Sequence, residues 1–374
     1  MKLNGITIIP LKQFLEYGYE AENLVQEAEE FGLGAKTRTL GDQELQNYLH
    51  KVENKTKSKA DVYNLPFVHS GTAISIKDEH GKNYNLDSLR KLITTRPVTF
   101  LKSNKKMQHS DRENSIFYNI GLPALKGLAV NEKTGEFLVV DTCPGAGMCK
   151  VYCYAKHGQY ILFKMTSINQ TQMLNFLMND PEGFFTRLSR ELEQRLRIHK
   201  GNQLFVRWHD SGDFFSSQYL NVAYAIARKF PQIKFYAYTK VSDVALGKKP
   251  KNFLISFSEG ALPKEQEKVN LVQIKHSSVV PHQMFWDLVI HDKSNHFIKD
   301  ENGKVQWKSP EALQEMKRRI SKKWHVNIHN ILTYSELLKI PEGNRYKWNV
   351  IVVPGDGDTS SARHDVIGTY LLEH

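Results

Sequence analysis

Cysteine is scarce in this sequence, and its distribution is informative. Three occur among 374 residues, Cys143, Cys149 and Cys153, and the other 363 positions outside that eleven-residue window hold none. An odd number so placed argues against a disulfide framework and for metal binding or catalysis. Long apolar runs are missing as well. No stretch of about 18 such residues occurs, so no membrane-spanning helix is expected. The opening MKLNGITIIPLKQFLEYGYEAE turns polar and acidic too early for a secretory leader, and a cytoplasmic location is the default expectation. No internal repeat or low-complexity tract is visible.

What is present is an ordinary globular composition, 40% hydrophobic and 24% charged, long enough for one large domain or two smaller ones. Lys and Arg total 51 against 40 Asp and Glu, a net charge of +11. That excess favours contact with phosphates and is equally compatible with a merely basic surface.

Residues 1–110 read as a mixed α+β extension. AENLVQEAEEFG and DQELQNYLHKVENK carry helical periodicity, PFVHSGTAISIKD looks like a strand, and LDSLRKLITTRPVTF like a helix leading into one. The polar, basic KSNKKMQHSDREN marks the boundary. Beyond it, strands alternate with helices: GEFLVVD, then a long helical stretch from Thr166 to Lys200 broken at Asp180-Pro181, then QLFVRWHD, SSQYLNVAYAIARKF, IKFYAYTK, NFLISFSEG, LVQIKHSS and WNVIVVPGD, with SARHDVIGTYLLEH closing as a helix. An insertion at about 280–345 interrupts the series. Such alternation predicts parallel βαβ units, as an incomplete barrel or a doubly wound sheet over residues 111–374. Either way the working residues belong at the carboxyl ends of the strands. Those ends read DTCPGAGMC, HDSGDF, YTK, SFSEG, KHSS and PGDGD.

In the loop Cys143-Pro-Gly-Ala-Gly-Met-Cys149-Lys-Val-Tyr-Cys153-Tyr-Ala, three thiolates can hold three irons of a [4Fe–4S] cluster and leave the fourth iron open. Soft thiolates select iron–sulfur or zinc over hard cations. Pro144, Gly145 and Gly147 suit a loop wrapping a bulky centre, and Tyr152 and Tyr154 suit a shield against water. His157, four positions past Cys153, completes a Cys3His set, so a structural zinc in a non-catalytic nucleic-acid-binding or regulatory protein is the competing reading.

The run NIGLPALKG, then CPGAGMCKVYCYAKHG, then RWHDSGDFFSSQYLNVAYAIARKFPQIKFYAYTK, resembles a family of phage- and plasmid-encoded radical-SAM-like proteins, the gene-product-88 type. The resemblance covers about residues 115–260. The five and then three residues between the cysteines differ from the three and two usual in radical-SAM enzymes. It implies a radical-SAM-like partial (β/α) barrel, a [4Fe–4S] cluster and S-adenosylmethionine as cofactors, an electron donor as partner, and a host cytoplasmic location if phage-encoded. Together with the basic charge it suggests a nucleic-acid or nucleotide substrate.

On that resemblance, Asp210, Ser211, Gly212 and Asp213 stand where such proteins hold the amino group of the methionine moiety. A helix N-cap at Asp213 or Ser216 is the simpler account of one acid there, though not of both. Ser256, Ser258 and Glu259 end a strand where hydroxyls and a carboxylate would meet the ribose; an ordinary strand-to-turn transition explains them equally well. Lys240 suits a carboxylate or phosphate. Arg207, Trp208 and His209 point towards a substrate on this reading. Arg187, Arg190, Arg195, Arg197 and Lys200 form either a phosphate-facing stripe or a solvated helix face.

Overall fold

In a computed structural model of the chain, residues 2–3, 6–7, 37–40, 86–103, 114–150, 153, 155, 164–354, 356 and 358–373 are described. The strands are β1 (Lys2–Leu3), β2 (Ile6–Thr7), β3 (Thr37–Leu40), β4 (Ser115–Ile120), β5 (Lys126–Val130), β6 (Phe137–Asp141), β7 (Gln203–Trp208), β8 (Lys234–Thr239), β9 (Phe253–Ser258), β10 (His276–Val280), β11 (Ile331–Thr333), β12 (Trp348–Val352) and β13 (Val366–Leu372). The helices are α1 (Leu86–Thr94), α2 (Lys164–Asn179), α3 (Pro181–Ile198), α4 (Ser217–Lys229), α5 (Ser242–Leu246), α6 (Pro263–Gln266), α7 (Pro310–Trp324) and α8 (Tyr334–Leu338). They fall into two compact units, 1–102 with 119–198 and 208–231, and 103–118 with 199–207 and 232–374. The helices and strand expected in the first 80 residues lie outside the described residues, as does the basic connector at 104–113.

The first unit joins four helices to a three-stranded antiparallel sheet in the order β3-β6-β5. β5 and β6 form a hairpin whose turn closes with Gly135 N–H donating to Asn131 O at 2.7 Å; Gly135 has φ +76°, where a side chain is strained. The strand leading into the cysteine loop, expected in the parallel series, therefore pairs antiparallel instead. The short turn Asn131–Gly135 between two apolar runs is the physical reason. Helix α2 docks on β5, where Val130 N–H donates to Asn175 Oδ1 at 2.8 Å and Asn179 Nδ2 donates to Val130 O at 2.9 Å. The expected break at Asp180-Pro181 separates α2 from α3, because proline suits the first helical position and cannot continue the preceding helix. Phe100 packs between Phe176 and Phe184, with ring centroids at 5.9 and 4.7 Å.

The second unit holds an eight-stranded sheet in the order β11-β12-β13-β10-β9-β8-β7-β4, parallel at its registered pairs. From β4 to β10 spatial order follows chain order. The chain then skips to the far edge at β11 and returns through β12 to β13 beside β10. Right-handed crossovers that reverse direction place their helices on opposite faces. The two cores agree. Ile351, Tyr370 and Leu372 pack with Met316, Ile320 and Trp324 of α7, whereas Val350 and Val352 pack with Tyr334 and Leu337 of α8. Alternation along β12 supplies both faces.

The α/β expectation thus holds, but the sheet is open, ending at β4 and β11, and is not closed into a barrel. A barrel needs strands in continuous order, and the reversal at β10 interrupts it. The closing segment is also a strand, not the helix expected. Its V-I-G-T-Y-L-L run is rich in β-branched and aromatic residues, and pairing on both sides, with β10 and β12, fixes it. Among the described residues no helix is long and apolar enough to cross a membrane.

Candidate functional site

The candidate site in the first unit is built on the segment Gly121–Leu125, which ties two loops together. Leu122 N–H donates to Ser211 O at 3.0 Å and Ser211 Oγ donates to Leu122 O at 2.6 Å, so the Asp210–Asp213 loop is fastened to it. Thr142, fully buried, links the other side: its N–H donates to Leu125 O at 3.1 Å, and its carbonyl accepts from Asp213 N–H at 2.8 Å. Gly212 is required here. Its φ is +84°, and a Cβ would come within 2.9 Å of Leu122 Cβ.

The cysteine loop starts at that junction. Cys143 N–H donates to Asp141 Oδ1 at 3.2 Å, and Cys143 O accepts from Ala146 N–H at 3.0 Å. Leu125 N–H donates to Cys143 Sγ at 3.1 Å, a bond that favours the thiolate. Cys149 sits in a short 3-10 turn, Met148–Lys150. All three cysteines are half-buried and none is in a disulfide. Burial pushes the Cys143 thiol well above its ordinary range. The negative charge of Asp213 adds to the rise, as do Cys153 and Cys149, and the Leu125 bond opposes it. The structure therefore brings the three thiols and Asp213 within electrostatic reach of one another. Tyr154 and His157 lie outside the described residues, and among those described no three His, Cys, Asp or Glu groups stand close enough to hold a metal as they are.

The two acids of the SGDF loop have different surroundings. Asp210 is held by the strand ends: Asn119 Nδ2 donates to its Oδ2 at 2.7 Å, Ser211 N–H to its Oδ1 at 2.9 Å, and Gly121 leaves no room beside it. It also opposes the fall that burial imposes on the Lys102 ammonium. Asp213, 5% exposed, receives Phe214 N–H at 2.7 Å. The helix cap weighed against it belongs to Ser216, whose Oγ accepts from Tyr219 N–H at 3.2 Å. Capping therefore leaves Asp213 unexplained.

Behind Asp213 lies a pair that sequence reasoning did not single out. Tyr219 OH and His209 Nε2 are 2.7 Å apart, and burial together with the charge of Asp213 raises the Tyr219 phenol well above its usual range. His209 has φ 65°, uncommon for a residue other than glycine, and Phe214 packs edge-on against its ring at 4.5 Å. Trp208 and His209 are buried rather than extended towards a substrate, because the loop folds back over them. Of the missed residues, Gly121, Leu125 and Gln170 (whose Nε2 donates to Ser211 Oγ at 2.9 Å) carried no signal beyond the NIGLPALKG run.

The remaining expected rim residues belong to the second unit. Lys240 Nζ donates to Ser258 O, Ser258 Oγ and Glu259 O at 3.2, 2.9 and 2.5 Å, so it ties β8 to the end of β9. Glu259 accepts from Trp324 Nε1 at 3.0 Å, and Ser256 is fully buried. Arg207 lies over the Tyr238 ring at 5.0 Å. In the arginine stretch of α3, Arg187 donates to Val98 O and Arg195 pairs with Glu191, so these two have structural partners.

A family model described as gene product 88 matches residues 98–325, more than half of the chain, and spans both the cysteine loop and the SGDF loop. No curated protein and no solved structure matches the chain.

Proposed function

Because the chain belongs to the gene product 88 family, we propose that its cysteine loop is the working centre, and that Cys143, Cys149 and Cys153 hold an iron–sulfur cluster that acts with S-adenosylmethionine on a nucleic-acid or nucleotide substrate. The observation that carries this reading is the gathering of all three cysteines of the chain, half-buried and unpaired by disulfides, beside one buried carboxylate. The donor set fits the group: soft thiolates suit iron–sulfur chemistry, and three ligands leave one coordination position for a cofactor. When bound, such a centre supplies one-electron chemistry.

The chain's own residues would do the rest. Leu125 N–H favours the thiolate of Cys143, offsetting burial. Asp213 is the better placed of the two acids for the ammonium of the methionine moiety, since both oxygens of Asp210 already accept hydrogen bonds. Thr142 fixes Asp213 to the cysteine loop through its carbonyl. The buried Trp208, Phe214 and Phe215 exclude water behind the site.

Equilibrium binding of S-adenosylmethionine to anaerobically reconstituted protein tests this assignment. Asp213→Ala weakens binding at least about tenfold, the effect expected of one lost charge-assisted hydrogen bond, with the metal content unchanged. Unchanged affinity, or zinc without sulfide in the reconstituted protein, refutes it.

A further inference from the structure

We propose that the hairpin ribbon at residues 288–308, with Trp286 at its base, is a docking surface for single-stranded nucleic acid. The proposal is independent of the cysteine loop and rests on the second unit alone.

The ribbon is three short antiparallel segments. Ile290 N–H donates to Gln306 O, Gln306 N–H to Ile298 O and Ile298 N–H to Ile290 O, at 3.0, 3.1 and 2.9 Å. It is anchored from below: Phe285, Leu288, Val289 and Val305 are buried against Met316, Ile320 and Trp324 of α7. Trp286, between the buried Phe285 and Leu288, faces outward and is 38% exposed. Its indole is already oriented by neighbouring rings, with His291 stacked on it at 3.8 Å and His282 edge-on at 5.7 Å. A rigid aromatic ring held half in solvent is the element that single-stranded nucleic-acid sites use for base stacking.

Charge selects the partner. Residues 281–330 contain nine Lys and Arg against six Asp and Glu, a difference of three, and five of the chain's fifteen histidines. The acids around the ring are mostly engaged. Asp287 receives a two-pronged bond from Arg319 at 2.7 and 2.8 Å. Asp292 Oδ1 accepts from the N–H groups of Ser294 and His296, and Asp300 Oδ1 from those of Asn302 and Lys304, closing the two turns. Lys293 and Lys299 are exposed and make no ion pair among the described residues, and Lys308 donates to a backbone carbonyl, Asp287 O. Neutralised anions, cations left over and an aromatic platform suit a polyanion carrying stackable bases better than an apolar protein partner.

Fluorescence anisotropy with the full chain tests this, using a labelled oligo(dT) of about 16 nucleotides, an oligo(U) of the same length and a duplex, between about 50 and 200 mM salt. The single strands bind, more weakly as salt rises. Trp286→Ala weakens binding about 5- to 100-fold, and Lys293→Glu with Lys299→Glu weakens it and flattens the salt slope. Trp286→Leu, which keeps apolar bulk without a ring, gives the same loss if the alanine variant does not fold. Absence of single-strand binding at about 50 mM salt overturns the proposal, as does an affinity of the Trp286 variants within about twofold of the parent or a duplex bound equally tightly and without regard to Trp286.

Discussion

Gly121→Ala is expected to destabilise the first unit far more than adding one methyl group usually does. The new Cβ would lie 1.8 Å from Asp210 Oδ1 and 2.8 Å from Gln170 Nε2. Neither side chain can simply swing away. Asp210 is held by Asn119 and by Ser211 N–H, and Gln170 by Ser211 Oγ, which itself donates to Leu122 O. Relief therefore breaks at least one hydrogen bond to a carboxylate, at about 1.5 to 3 kcal/mol. Overpacking a tight site adds about 1 to 3 kcal/mol. The usual gain from replacing glycine, about 0.4 to 1 kcal/mol through the unfolded chain, offsets only part of this. The net loss is about 2 to 5 kcal/mol, read as a lower urea midpoint at unchanged slope. A second variant isolates the cause. Asp210→Gly removes the clashing oxygen, so the two changes together cost less than the sum of each alone. A loss below about 0.5 kcal/mol for Gly121→Ala, or simple additivity in the pair, refutes the argument that this glycine exists to admit Asp210.

Other sites give independent tests. Glu191 accepts from the buried N–H groups of Phe100 and Leu101, so Glu191→Ala orphans two donors and costs about 2 to 4 kcal/mol, while Glu191→Gln costs less; denaturant titration separates them. Arg363 and Asp365 form a buried two-pronged pair at 2.9 and 2.7 Å, and Arg363 also donates to Leu337 O and Ile340 O. Arg363→Ala therefore costs about 3 to 5 kcal/mol, and removing Asp365 as well restores part of it, measured by the same titration. Burial lowers the Lys249 ammonium to about 8. Between that pH and its ordinary value of 10.5 the unfolded chain binds the extra proton, so stability relative to Lys249→Met rises as pH goes from about 8 to 10. A flat difference over that range contradicts the assignment.

The parts of the fold visible in the sequence were those set by local periodicity. The break at Pro181, the strands at 203–208, 234–239, 253–258 and 348–352, and the helices at 217–229 and 310–324 all carry their own pattern of apolar residues and caps. What stayed hidden depends on pairing between distant segments. Whether Phe137–Asp141 joins the parallel sheet or a hairpin is decided by Lys126–Val130, and the reversal of strand order at β10 leaves no mark in the residues of β10 itself. Val366–Leu372 shows the same limit, since a short apolar run fits helix or strand until its neighbours are known. In the site, the cysteines were legible because soft ligands cluster in sequence. Asp210 and Asp213 looked equivalent, and only Asn119, Gly121 and Ser216 tell them apart. The Tyr219 and His209 pair had no signal, because ten residues and a left-handed turn separate its members.

The most direct measurement is the iron and acid-labile sulfide content of anaerobically reconstituted protein, beside variants with each of Cys143, Cys149 and Cys153 changed to Ser. The account predicts about four irons and four sulfides per chain, with a broad visible absorption that each single substitution removes or sharply reduces. Protein that takes up zinc alone, or iron and sulfide in amounts that do not change when these cysteines are replaced, contradicts it.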